Sequence, residues 1–176
     1  MKELFLKRQS CRNYKVKKVE EEKIKELIET ASLAPSARNT QPWKLYAVSN
    51  NKVIVDGVRE GVQPDGANKF ADNVNDFIVI VEQKPWYLLD EKEKGKHSDF
   101  VATDIGIFTA HLVLTAEKMG LSTCILGRMD KEKVKKAIGL TGDEVVSLVI
   151  AVGYKEDDDI LRTKVRKQGA DLVEYL

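Results

Sequence analysis

Three short stretches of this 176-residue chain carry side chains of the kinds that suit an anionic, planar ligand. Near the start, Arg8-Gln9-Ser10-Cys11-Arg12 gathers two guanidiniums around a hydroxyl, and planar guanidiniums match phosphate oxygens in pairs. Residues 34–43 read Ala-Pro-Ser-Ala-Arg-Asn-Thr-Gln-Pro-Trp: Pro35 and Pro42 stiffen the backbone, while Ser36, Arg38, Asn39, Thr40 and Gln41 supply donors and acceptors. In the tail, Lys164 and Arg166 fall on one side of the chain if it is extended. A further position, Gly127, would let backbone approach a flat ligand closely. Each stretch also has a plainer reading: a solvated basic face continuing into Lys15, Lys17 and Lys18, a polar connection, and an ordinary charged terminus.

Other chemistries find little support. Cys11 and Cys124 form no Cys-x-x-Cys pair, and His97 and His111 stand without companion ligands, so neither a redox motif nor a metal site is expected. No Ser/His/Asp or Cys/His arrangement for nucleophilic catalysis is legible. With 29 basic against 28 acidic residues, the chain has no global field to hold nucleic acid or an acidic membrane, so any anion site must be local. The longest apolar runs, residues 77–81 and 145–152, fall far short of the roughly 20 residues of a membrane span. The first residues are too charged for a secretory core. A protein that stays in a reducing cytoplasm is the expectation.

The elements that must position these residues follow from periodicity. One or two helical turns are expected over residues 1–6, and a helix from Glu20 to Ala34, where Ile24, Leu27, Ile28 and Ala31 recur on one face until Pro35. Residues 34–43 then connect that helix to an alternating strand ending at Val48. Residues 52–60 suggest a short helix, weakened by Gly57 and by the β-branched Val53, Ile54 and Val55, and residues 61–75 read as mostly loop. The continuous runs at 77–81 and 145–152 predict central strands covered on both faces. Residues 84–95 suit either a lid or an exposed connector. Between Ser98 as N-cap and Gly120 as C-terminal glycine lies a long helix, apolar all round from Ile105 to Leu114. Such a helix must be covered on every side, either inside one subunit or against a second copy of the chain. A strand at 121–126 and a helix from Asp130 to Ile138 complete the set, and the length fits one domain over residues 1–176.

Taken together in order, Arg8-Gln9-Ser10-x-Arg12, Pro35-Ser36-x-x-Asn39-x-Gln41-Pro42-Trp43, the run at 120–127 and Lys164-x-Arg166 resemble the FMN-dependent nitroreductase family across essentially the whole chain. The resemblance implies an α+β fold: a central, mostly antiparallel sheet flanked by helices. It also implies a homodimer of domain-swapped type, with two FMN sites at the interface. Arg8, Ser10 and Arg12, with Lys164 and Arg166, would hold the FMN phosphate and ribityl chain, with Gln9 beside them. Leu126 and Gly127 would offer backbone groups to the flavin ring, and Pro35, Ser36, Ala37, Arg38, Asn39 and Gln41 would line the site from the other subunit.

The implied reaction passes hydride from NAD(P)H through flavin N5 to a nitroaromatic, quinone or other electron-poor small molecule in ping-pong order, with no catalytic side chain. The alternatives are a different flavin reaction, such as dehalogenation or flavin fragmentation, and a flavin-binding domain without enzymatic activity. Some positions depart from the family pattern. Arg38 stands where many relatives have a small residue, Gln168 where proline is common, and Leu126 where some have an acid, which would make that side of the ring more apolar. Asn68 and Lys69 stand near the place of a polar pair that reads the ring edge, and Lys69 and Arg38 are the candidates to stabilise negative charge on the reduced flavin.

Overall fold

The computed structural model describes residues 1–90, 92 and 99–176. In chain order the elements are α1 (Lys2–Lys7), α2 (Glu21–Ala31), β1 (Trp43–Val48), α3 (Lys52–Val62), β2 (Asp76–Glu82), α4 (Trp86–Leu89), α5 (Val101–Lys118), β3 (Ser122–Leu126), α6 (Lys131–Ala137) and β4 (Val146–Gly153). The strands form one sheet in the order β1-β2-β4-β3, and every ladder is antiparallel.

The period of two along β2 explains the layering. Phe77, Val79 and Val81 point to the face covered by α3 and α6, where Val55, Val58, Val62 and Val134 are buried. Ile78 and Ile80 point to the opposite face, against Leu27 and Ala31 of α2 and Ile105, Phe108 and Leu112 of α5. Val149 and Ala151 of β4 go to the first face, and Ile150 and Val152 to the second. Both continuous runs are therefore covered on both sides, as expected of central strands.

The weak helical stretch at 52–60 is a full helix, α3, and its glycines have a packing role. The Asn51 carboxamide oxygen caps it by accepting from Val53 N–H at 3.0 Å and Ile54 N–H at 3.4 Å. A Cβ on Gly57 would lie 2.9 Å from Ala137 Cβ, and one on Gly61 would lie 2.6 Å from Val134 Cγ2. The residues that lower helix propensity are those that let α3 and α6 pack closely. The loop at 61–75 contains two short 3-10 turns, Pro64–Gly66 and Lys69–Asn73.

The long helix, α5, starts near its expected place. Ser98 and most of the second half of the 84–95 segment lie outside the described residues, and the Asp99 carboxylate accepts the Val101 N–H at 2.9 Å. Within one chain α5 is covered on one side only. Ile105, Phe108, Leu112, Val113 and Ala116 are buried, whereas Ala102, Gly106 and Ala110 form an exposed strip of small residues.

Beyond β4, the acidic run at 156–159 joins the tail to the N-terminal segment. Lys15 pairs with Asp157 at 2.6 Å, the Asn13 amide donates to Asp158 at 2.9 Å, and the Gln9 amide donates to Asp159 at 3.2 Å.

Candidate functional site

The first half of the site forms where the N-terminal segment meets the tail. Ser10 bridges Thr123 on the outer edge of β3, and Cys11 N–H donates to Thr123 O at 2.9 Å, so residues 8–12 run alongside an edge strand. The tail closes over them. The Lys164 ammonium donates to Arg8 O at 2.8 Å, Arg162 N–H donates to the Gln9 carboxamide oxygen at 3.0 Å, and the Arg162 guanidinium donates to Ser10 O.

Arg8, Arg162, Lys164 and Arg166 thus crowd together. Partial burial, with Arg8, Arg166 and Arg162 beside it, holds the Lys164 ammonium below its usual range. Arg12, Arg162 and Arg8 all lie close enough to Cys124 for their positive charges to act on its thiol. The only ion pair recorded for these cations among the described residues is a distant contact of Arg162 with Asp159, at 3.9 Å. Like charges held this close are stabilised by an anion, and guanidiniums in number suit a phosphate.

Sequence reasoning missed Arg162. The signal was available: 162, 164 and 166 alternate, so an extended tail turns all three to one side. Gln9 lies among the cations as expected, but its amide is occupied in holding Asp159 and the Ile160 carbonyl, at 3.2 and 3.1 Å.

A groove runs from this cluster along the outer side of α5, about 400 Å³ in volume and mainly apolar, lined by Phe5, Arg8, Gly106, Ala110, Ile125 and Leu148 among others. The Leu126 side chain does not reach it. It is buried in the core with Val134 and Val149, and Ile125 is the β3 residue that faces the groove. The expectation that Leu126 makes one side of a ring more apolar therefore passes to Ile125. Gly127 is exposed at the end of β3, with only Leu148 Cδ2 near a would-be Cβ, at 3.8 Å.

The second half is the turn at residues 35–41. Arg38, Asn39 and Gln41 all adopt left-handed backbone, with φ of 53°, 55° and 47°. Such a run costs on the order of 1–3 kcal/mol per residue and persists only when its surroundings hold it. Ser36 Oγ accepts the Gln41 N–H at 2.9 Å, and the Thr40 hydroxyl donates to Ala37 O at 2.9 Å. From below, the buried Asp104 of α5 accepts the Ala37 N–H with both carboxylate oxygens at 3.1 Å. Trp43 stacks on Phe108 with ring centroids 4.8 Å apart, fixing the exit into β1. Pro35 leads in, exposed. The Arg38 guanidinium lies over the rings of Trp86 and Tyr87, 5.4 and 5.7 Å from their centroids.

The two halves lie on different faces of α5 within one chain: Asp104, which holds the turn, is buried, whereas Gly106 and Ala110, which line the groove, are exposed. Asn68 lies beside the end of β3. Its amide donates to Val62 O at 2.7 Å and to Arg128 O at 3.2 Å, tying its loop to the end of β3.

Burial pushes the Cys11 thiol up to about 11 and raises Cys124 as well, so neither is poised as a nucleophile. No group of three or more His, Cys, Asp or Glu among the described residues could hold a metal ion. No helix among them is long and apolar enough to cross a membrane.

The fold is α+β, with a cluster of cations along one edge of the sheet and a rigid polar turn on the other side of α5. The profile of the Nitroreductase family matches residues 6–154, and the chain belongs to that family. It is 28% identical over 173 residues to a Bacillus subtilis protein provisionally named NAD(P)H nitroreductase YfhC, covering 89% of this chain and 85% of that one. It is 23% identical over 168 residues to the iodotyrosine deiodinase of Thermotoga neapolitana, covering 88% of each. Among solved structures, an FMN-dependent nitroreductase from Clostridium difficile superposes with a TM-score of 0.73 at 23% identity, covering 93% of this chain and 92% of that one.

Proposed function

We propose that this chain is a single FMN-binding domain, working as a homodimer, that oxidises NAD(P)H and reduces nitroaromatic, quinone or similar electron-poor acceptors. The observation that carries the reading is the cluster of Arg8, Arg12, Arg162, Lys164 and Arg166, a donor set that suits a phosphate monoester next to an apolar groove. When bound, FMN supplies the hydride chemistry between nicotinamide and acceptor. The chain's own residues bind, orient and exclude water. The cations fix the phosphate, Ile125 and Leu148 present an apolar wall, and the exposed backbone at Gly127 is open to the ring edge. The polar turn at 35–41 of a second subunit closes the site, and the nicotinamide and the acceptor use the same opening in turn, which gives ping-pong kinetics.

The dimer is supported by the separation of the two halves and by the exposed small-residue strip on α5. The tail adds to this, because Ile160, Leu161, Val165 and Leu172 are largely exposed on a single chain. The name of the Thermotoga relative favours one rival, reductive dehalogenation at the same site.

The test is the colour and turnover of the purified protein. Flavin absorbance, oxidation of NADH or NADPH on adding a nitroarene or a quinone, and a dimeric mass at micromolar concentration are expected. A preparation that takes up no FMN refutes the reading. Flavin reduction with turnover of halogenated phenols alone transfers it to the rival.

A further inference from the structure

We propose that Arg38 is a specificity-determining residue, a pre-oriented guanidinium that selects small molecules carrying an oxyanion at the mouth closed by the 35–41 turn. This rests on the flavin oxidoreductase reading above and adds to it the class of substrate. Three observations carry it.

The first is the company Arg38 keeps. Arg59, Arg128 and Arg162 each face a carboxylate, on Asp56, Asp65 and Asp159, and Arg8, Arg12 and Arg166 belong to the cationic cradle. Arg38 faces no carboxylate among the described residues, and is the one arginine among them placed on aromatic faces. The guanidinium carbon sits over both rings, which stand at 84° to each other, and no hydrogen bond to a described residue occupies its N–H groups, which suit a carboxylate or phosphate through two parallel bonds.

The second is rigidity. Arg38 sits at φ 53° in a turn held by Ser36 Oγ and by Asp104, so its position is set before any ligand arrives. Ordering a long side chain normally opposes binding, and here the rings already impose that order. The third is local charge: the carboxylate that anchors the turn, Asp104, is buried, and both of its oxygens accept the Ala37 N–H. Among the described residues no carboxylate is paired with Arg38 to compete with an incoming oxyanion.

The oxyanion has two chemical sources, a carboxylate on the electron acceptor or a phosphate of the nicotinamide dinucleotide, and the test separates them. Calorimetric titration of the flavin-loaded protein with 4-nitrobenzoate, nitrobenzene and NADP+ is compared between the wild type, Arg38→Ala and Arg38→Lys. The expected result is that Arg38→Ala lowers the preference for 4-nitrobenzoate over nitrobenzene by at least tenfold, and that Arg38→Lys recovers part of it. If the loss falls on NADP+ instead, the dinucleotide is the source. The kcat/KM ratio for the two nitroarenes should move with the binding ratio. If the preference and the NADP+ affinity both stay within twofold in Arg38→Ala, the proposal is overturned and the guanidinium is only a packing element over Trp86. A wild-type protein without flavin absorbance would remove the flavin reading separately, and the same titrations on that protein still decide the role of Arg38.

Discussion

Replacing Asp104 with alanine is expected to release the 35–41 turn from α5 while leaving the fold in place. Asp104 is 3% exposed, and both of its carboxylate oxygens accept the Ala37 N–H at 3.1 Å. A hydrogen bond to a charged group contributes about 1.5–3 kcal/mol. Two effects pull the net loss to the low end of that range. The variant no longer bears the cost of a buried carboxylate, and Ala37 is only half-buried, so water can satisfy its N–H once the turn moves. A loss of about 1.5 kcal/mol corresponds to roughly 3–6 °C in Tm for a chain of this size. The local effect should be larger, because Arg38, Asn39 and Gln41 keep left-handed backbone only under restraint. Thermal unfolding gives the first quantity, and hydrogen exchange of a peptide spanning 35–41 gives the second, with faster exchange expected there and unchanged protection in β2 and β4. Unchanged exchange in the turn together with an unchanged Tm would show that Asp104 is not its anchor.

Gly61→Ala should destabilise the protein by about 1–3 kcal/mol despite better helix propensity, because the added Cβ meets the buried Val134 Cγ2 at 2.6 Å; a denaturant midpoint equal to wild type would contradict the close packing of α3 on α6. Arg162→Ala should weaken FMN binding by about 1.5–3 kcal/mol if its guanidinium serves the phosphate, whereas Lys15→Ala, which removes a cation paired with Asp157, should leave FMN affinity unchanged in the same fluorescence titration. The Tyr154 hydroxyl donates to Glu20 and holds that carboxyl at about 2, below its ordinary 4.5. A lowered carboxylate contributes stability that is present above the unfolded value and is lost as pH falls from about 4.5 towards 2, so Tyr154→Phe should flatten the acid limb of a stability profile in that window.

The sheet and its covering helices were legible because their signals are local. The unbroken apolar runs of β2 and β4 and the period of α2 and α5 repeat within a few residues, and each element lies close to its expected place. The misread features all depend on partners far along the chain. Gly57 and Gly61 weaken a helix when taken alone, and only the approach of α6, some 75 residues later, shows why they are there. The acidic run at 156–159 has no meaning until Lys15, Asn13 and Gln9 come alongside it. The polar turn could be recognised from its composition, but not its anchor, since Asp104 lies 67 residues from Ala37. Leu126 is buried and Ile125 exposed because neighbouring side chains of a strand point to opposite faces, and which face is covered depends on what packs across the sheet.

The junction of residues 8–12 with the tail also has a consequence for biosynthesis. Gln9 and Ile160 are separated by 151 positions, and three of the five clustered cations lie beyond residue 160. A growing chain that has already completed all four strands still holds only Arg8 and Arg12 of that cradle. The sheet can assemble during translation, whereas the cationic cluster is complete only once residues 162–166 have emerged.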